Sequence, residues 1–187
     1  GVWPLISACT LRAPRMDIVN ALLDWGVELS APVLFMIVRD APNVEIIRAL
    51  STRPHLAEIL VNDPEMGRAA VLSGRWMTVL FLWGLGVVMT HRHADWAAEH
   101  GHVAILKMLH VHGIDCSRSG MIGAGVGGHL NVVRLLRRWS LGYMHPTDPV
   151  VQTAVQGMYR AKHPRMTDQL RAWGIPVMHT VPYRYTA

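Results

Sequence analysis

An all-α chain, folded as a solenoid of about six stacked helix-turn-helix units, is the fold class this sequence predicts. Three observations carry that prediction. A glycine followed by His or Arg recurs at a 27-residue spacing through the centre, at Gly74-Arg75, Gly101-His102 and Gly128-His129. Each copy is followed by apolar residues at helical spacing, and strand signals are few.

Taken in order, the copies share an anchor position just after the turn. Residue 15 anchors "RMDIVNALLDWGVEL", with Ile18, Val19, Leu22 and Leu23 on one helical face. Residue 43 anchors "NVEIIRAL" and residue 75 anchors "RWMTVLFLWGLG". Residues 102 and 129 anchor "HVAILKMLHVHG" and "HLNVVRLLRRWSLG", and residue 163 anchors "HPRMTDQLRAWGI". The spacings are 28, 32, 27, 27 and 34. Ala70, Ala97 and Ala124 each stand five residues before an anchor, small enough to let a neighbouring helix approach. Gly74, Gly101 and Gly128 end the first helix of the three central copies, and Gly26, Gly113, Gly142 and Gly174 stop second helices. The single domain thus divides into units at about 4–29, 31–57, 64–90, 92–115, 118–142 and 148–176, with 177–187 as a tail. A pair of ~20 residues cannot bury both its faces alone, so the units must stack. The long joints at residues 50–65 and 142–163 are expected to be the weak points.

"ADWAAEHGHVAILKMLHVHG" and "GAGVGGHLNVVRLLRRWSLG" resemble ankyrin repeats in their small-residue first helix, Gly-His turn and Leu/Val-rich second helix. The resemblance is specific over about residues 92–142 and extends as periodicity over most of the chain. The Thr-Pro-Leu-His opening is missing, replaced by "RHADWAA" and "SGMIGAG", and 27 residues leave no room for long β-hairpin fingers. The chain is most similar to the short, finger-poor variety found in large DNA viruses and protists. That resemblance implies a monomeric array that binds a protein partner through the two positions before each turn glycine. Carried over by register, these are Arg12 and Ala13, Asp40 and Ala41, Leu72 and Ser73, Glu99 and His100, and Val126 and Gly127. Members of the family often join such an array to an F-box. None is seen here, so an adaptor role would need a segment upstream, and "GVWPLISACT", with Trp3 and Leu5 expected exposed, reads as a cut through a longer array.

Four histidines at 100, 102, 110 and 112 invite a metal reading. His110 and His112 lie eight and ten residues beyond His102, about 80° and 280° around a helix, so the rings diverge. Closed zinc sites need four converging ligands, so no metal is expected. His91 and His93 fall in an expected inter-repeat loop. "GMIGAGVGG" lacks a preceding strand and sits on a first helix, which argues against a phosphate-binding loop. Cys9 and Cys116 have neither CxxC spacing nor a local catalytic partner, so no cofactor and no enzymatic centre are expected. Trp25, Trp139 and Trp173 share one register position and read as packing, as do Trp76 and Trp96 at other positions.

The richest apolar run, Met77 to Met89, has 13 residues, short of the ~20 that span a membrane. No membrane association is expected, and without a secretory signal the chain reads as intracellular, in cytoplasm or nucleus. Charge is uneven. Residues 1–115 carry 9 Lys/Arg against 11 Asp/Glu (net −2), whereas 116–187 carry 9 against 2 (net +7). Arg134, Arg137 and Arg138, with Arg160, Lys162 and Arg165 from the next unit, form an alternative site for nucleic acid or another acidic partner. A non-catalytic protein-interaction scaffold remains the leading expectation.

Overall fold

The computed structural model describes residues 2–11 and 14–139, together with Gln152, Val155, Asp168, Arg171 and Ala172. Helices α1 (Trp3–Thr10) and α2 (Met16–Asp24) are followed by α3 (Ala31–Asp40), α4 (Val44–Ser51) and α5 (Pro54–Asn62). Then come α6 (Glu65–Leu72), α7 (Trp76–Gly84), α8 (His91–Glu99), α9 (Val103–Val111), α10 (Arg118–Val126) and α11 (Leu130–Trp139). There is no strand among the described residues, which are all-α. The sixth expected unit and the tail lie almost entirely outside the described residues, as do Gly142 and Gly174.

All five described anchors stand immediately before a helix: residues 15, 43, 75, 102 and 129 precede α2, α4, α7, α9 and α11. Helices α1, α3, α6, α8 and α10 pack in succession as a first row, and α2, α4, α7 and α9 as a second. His110 of α9 stacks on Trp139, with centroids 3.8 Å apart and rings inclined by 16°, which joins α11 to the second row. Between the rows runs one continuous apolar core that includes Ile37, Ile46, Leu50, Val79, Leu82, Ile105, Leu106 and Leu109. Burying each such side chain is worth about 1.5–3 kcal/mol.

The Gly-His turns explain themselves through the backbone. Gly101 and Gly128 sit at φ 77° and 75°, a region costly for residues with a Cβ. The next residue's N–H then reaches back five residues, His102 to the Ala97 carbonyl (2.8 Å) and His129 to that of Ala124 (2.9 Å). This Schellman geometry satisfies carbonyls that the helix end would otherwise orphan. The same alanines are fully buried.

The glycine run of α10 has a packing cause. A Cβ on Gly120 would lie 2.9 Å from the Asp95 Cα, and one on Gly123 would lie 3.1 Å from the Glu99 Cβ. Absent side chains therefore let α10 press against the backbone of α8. Asp95 completes the joint, accepting from the Ser117 N–H and hydroxyl at 2.7 Å each. Ser117 in turn caps α10 by accepting from the Ser119 N–H (3.1 Å).

Three expectations need correction. The pair plan has no place for α5, which fills the 32-residue joint and buries Leu56 and Leu60 completely. His91 and His93 begin α8 instead of lying in a loop, because Thr90 starts a helix there and His93 Nδ1 accepts its N–H (3.0 Å). Leu5 is fully buried rather than exposed, while Trp3 beside it is exposed.

Candidate functional site

Placement before the turn glycines sets the candidate residues side by side, because successive first-row helices touch. Asp40 ends α3, exposed, and receives two hydrogen bonds from Arg39 (2.7 and 2.8 Å) that hold its carboxyl below the usual range. Ala41 is only 2% exposed, since its N–H turns back to the Ile37 carbonyl, so it presents nothing to a partner. Leu72 and Ser73 are half-buried. The Ser73 hydroxyl is engaged by its own turn, donating to the Ala70 carbonyl (2.6 Å) and accepting the Arg75 N–H (3.1 Å).

Further along, Glu99 and His100 are exposed. The Glu99 stem lies against Gly123 of the next helix, which leaves its carboxylate at the rim. His100 donates from Nδ1 to the Trp96 carbonyl (2.9 Å). Val126 is 47% exposed, and Gly127 beside it is open as well. Arg12 and Ala13 lie outside the described residues. The resulting edge, Asp40–Leu72–Glu99–Val126, alternates acidic and apolar side chains.

One turn earlier, the sequence reading missed a second line. Arg68 of α6 pairs with Glu65 (3.0 Å) and sets its guanidinium 5.5 Å from the Trp96 ring centroid on α8. Trp96 meets His93 edge-on at 5.2 Å. Arg68 and Trp96 stand seven and six residues before their anchors, on the same helical face as the edge, and that spacing was the available signal.

Anchors act as links between units. The Arg75 guanidinium donates to the Arg39 carbonyl (3.2 Å). The His102 ring covers Gly74, and the His129 ring covers Gly101. Burial pushes the His102 imidazole below its ordinary pKa, as do His100 and His129 nearby. His93, almost wholly buried, is depressed for the same first reason.

The four histidines of the central stretch do not converge on one point: His100 stacks on His102, His110 pairs with Asp115 and stacks on Trp139, and His112 meets Trp83 edge-on. Among the described residues no three His, Cys, Asp or Glu side chains are grouped to hold a metal. Burial raises Cys9 to about 11 and Cys116 to about 12, so both are thiols at neutral pH. An open cleft of about 420 Å³ between residues 25–30 and the start of α5 is lined by Leu23, Val27, Glu28, Arg53 and His55.

Of the expected packing tryptophans, Trp139 is half-buried, but Trp25 is 79% exposed and Trp76 is 47% exposed. They are surface residues: Trp25 follows the last residue of α2, and Trp76 opens α7 on its outward side. Trp173 falls outside the described residues. Arg134 and Arg138 are exposed on α11 and Arg137 is half-buried, while Arg160, Lys162 and Arg165 lie outside the described residues. Among the described residues no helix is long and apolar enough to cross a membrane.

No family model, curated protein or solved structure matches the chain.

Proposed function

We propose that the chain is a non-catalytic protein-recognition scaffold, an ankyrin-like solenoid that serves as the recruiting part of a larger adaptor. The observation that carries this reading is the edge itself. Four successive units place the residue three before the anchor, Asp40, Leu72, Glu99 and Val126, on first-row helices that touch one another. A repeated scaffold with a varied edge suits an extended polypeptide ligand, because rigid units hold the contact residues in register. The acidic members favour a ligand with cationic side chains between apolar ones. Thiols kept protonated by burial at Cys9 and Cys116 support a non-catalytic role.

The test compares affinity capture by the full chain with capture by Asp40→Arg/Glu99→Arg and by Val126→Asp. Few interface residues dominate binding, so captured proteins should fall by about tenfold for at least one variant while the thermal melt holds. Identical capture by all three chains would remove the edge from the account. Retention on duplex DNA that falls steeply with salt and is lost in Arg134→Glu/Arg138→Glu would favour the basic-surface alternative instead.

A further inference from the structure

The outward face of the second row carries an ordered change of chemistry. Positions two, five and nine after each anchor share one helix face, and all fifteen such residues in the five described units are exposed. At one end, α2 presents Asp17 and Asp24. In the middle, α7 presents Met77 and Leu80, 48% and 42% exposed, beside Trp76. At the far end, α11 presents Arg134 and Arg138. Between them, α4 presents the Glu45–Arg48 pair (3.3 Å), whose guanidinium also lies 5.2 Å from the Phe81 ring centroid on α7, and α9 presents Lys107, so the opposite charges belong to the two ends. No Asp or Glu occurs within α7, α9 or α11.

Such a stripe is complementary to itself when reversed. An isologous contact places each patch against its symmetry mate's counterpart, so a two-fold axis through α7 would set apolar centre on apolar centre and acidic end on basic end. We propose that this face is where two copies of the chain meet, α7 against α7 and each α2 against the other copy's α11. Read alone, the sequence suggests a monomeric array; the exposed apolar centre flanked by opposite charges argues for a pair. Arg15 holds Asp17 at 2.8 Å and Arg53 holds Asp24, yet both carboxylates are more than 60% exposed. Exposed ion pairs of this kind are weak and exchange partners readily, so the carboxylates stay open to a second cation. The first-row edge faces away from this contact, and a pair would present that edge twice.

Sedimentation velocity over a concentration series tests the pairing. Wild type should show a monomer–dimer equilibrium that shifts toward monomer in high salt. Leu80→Asp should raise the dissociation constant by about tenfold or more. The deciding experiment uses two charge-reversed chains, Arg134→Glu/Arg138→Glu and Asp17→Lys/Asp24→Lys. Each alone sets like charges together and should be monomeric, while an equimolar mixture should recover dimers, because the two reversals compensate across the axis. Far-UV circular dichroism on each variant checks the fold. A wild type that stays monomeric at every concentration overturns the proposal, as does a dimer indifferent to the reversals or a mixture that fails to pair. A monomeric wild type that binds phosphatidylserine vesicles through the same residues also overturns it and gives the stripe to a lipid surface.

Discussion

Two joints in this chain solve the same stacking problem differently. Between α8 and α10 the contact is made by absence: glycines at 120 and 123 bring helix backbones together, and Asp95 ties down the cap of the next helix. Between α4 and α6 the joint is lengthened by addition: α3 still touches α6 directly, and the inserted α5 packs on α3 and α4 with two fully buried leucines. The first joint has little tolerance, because backbone meets backbone. The second is a side-chain packing, which can relax locally. Stability in stacked units is roughly a sum of units and nearest-neighbour contacts, so the two joints should fail in different ways.

The largest expected effect is at the tight joint. In Gly101→Val a β-branched residue must hold φ 77°, and its Cβ would approach the His129 Nδ1 to 2.5 Å. Left-handed strain of about 1–3 kcal/mol adds to the displaced ring, and the loss should reach about 3 kcal/mol or more, the exceptional end of single substitutions. Because the His129 link is broken, hydrogen exchange should rise in both α8 and α10. A melt within a degree or two of wild type would show that the turn is not the constraint described.

A smaller and more local loss is expected for Leu56→Ala in α5. Removing a fully buried leucine side chain costs about 2–5 kcal/mol where a cavity persists, and an inserted helix touching two neighbours can collapse, so the lower end applies. Exchange should accelerate in α5 and at its contacts on α3 and α4, with α8 to α10 unchanged. Equal acceleration across α8 to α10 would mean that the joints are one cooperative unit, and the comparison would fail.

The contrast between joints also separates what the sequence discloses from what it hides. The anchors at 75, 102 and 129 were legible because a glycine with positive φ precedes each, and at 102 and 129 the next N–H also closes the Schellman bond; residues 15 and 43 follow prolines and were placed by the apolar spacing alone. Helix α5 carried its own signals, Pro54 at the first position, Leu56, Ile59 and Leu60 on one face, and Asp63-Pro64 as a stop. Alignment to a 27-residue period consigned those residues to a joint. His93 was hidden for a different reason. Its burial depends on Gly67 of another helix, where a Cβ would fall 2.5 Å from the His93 Nε2, and no local pattern reports such a vacancy. The edge at Asp40, Glu99 and Val126 followed from register, whereas Ala41 did not, because the α3 end turns its chain inward at that residue.

The mildest prediction concerns acid, and it sharpens the same distinction. His93 lies against α6 and His102 against the turn after α6, and burial lowers both below the ordinary imidazole pKa. Around them stand Glu65 on α6, and His100 and His129 beside His102. The unfolded chain takes up these protons at about pH 6.5 while the folded chain resists them, so their contribution is fully present above that pH and shrinks as pH falls through it. Thermal melts should therefore drop between about pH 7 and pH 5, and the drop should flatten in His93→Gln and in His102→Gln. Since both rings belong to the α6–α8 stack, acid should loosen that stack before it touches α5. Exchange at pH 5 that rises first in α5, or melts as steep in the glutamine variants as in wild type, would place the acid-sensitive groups elsewhere.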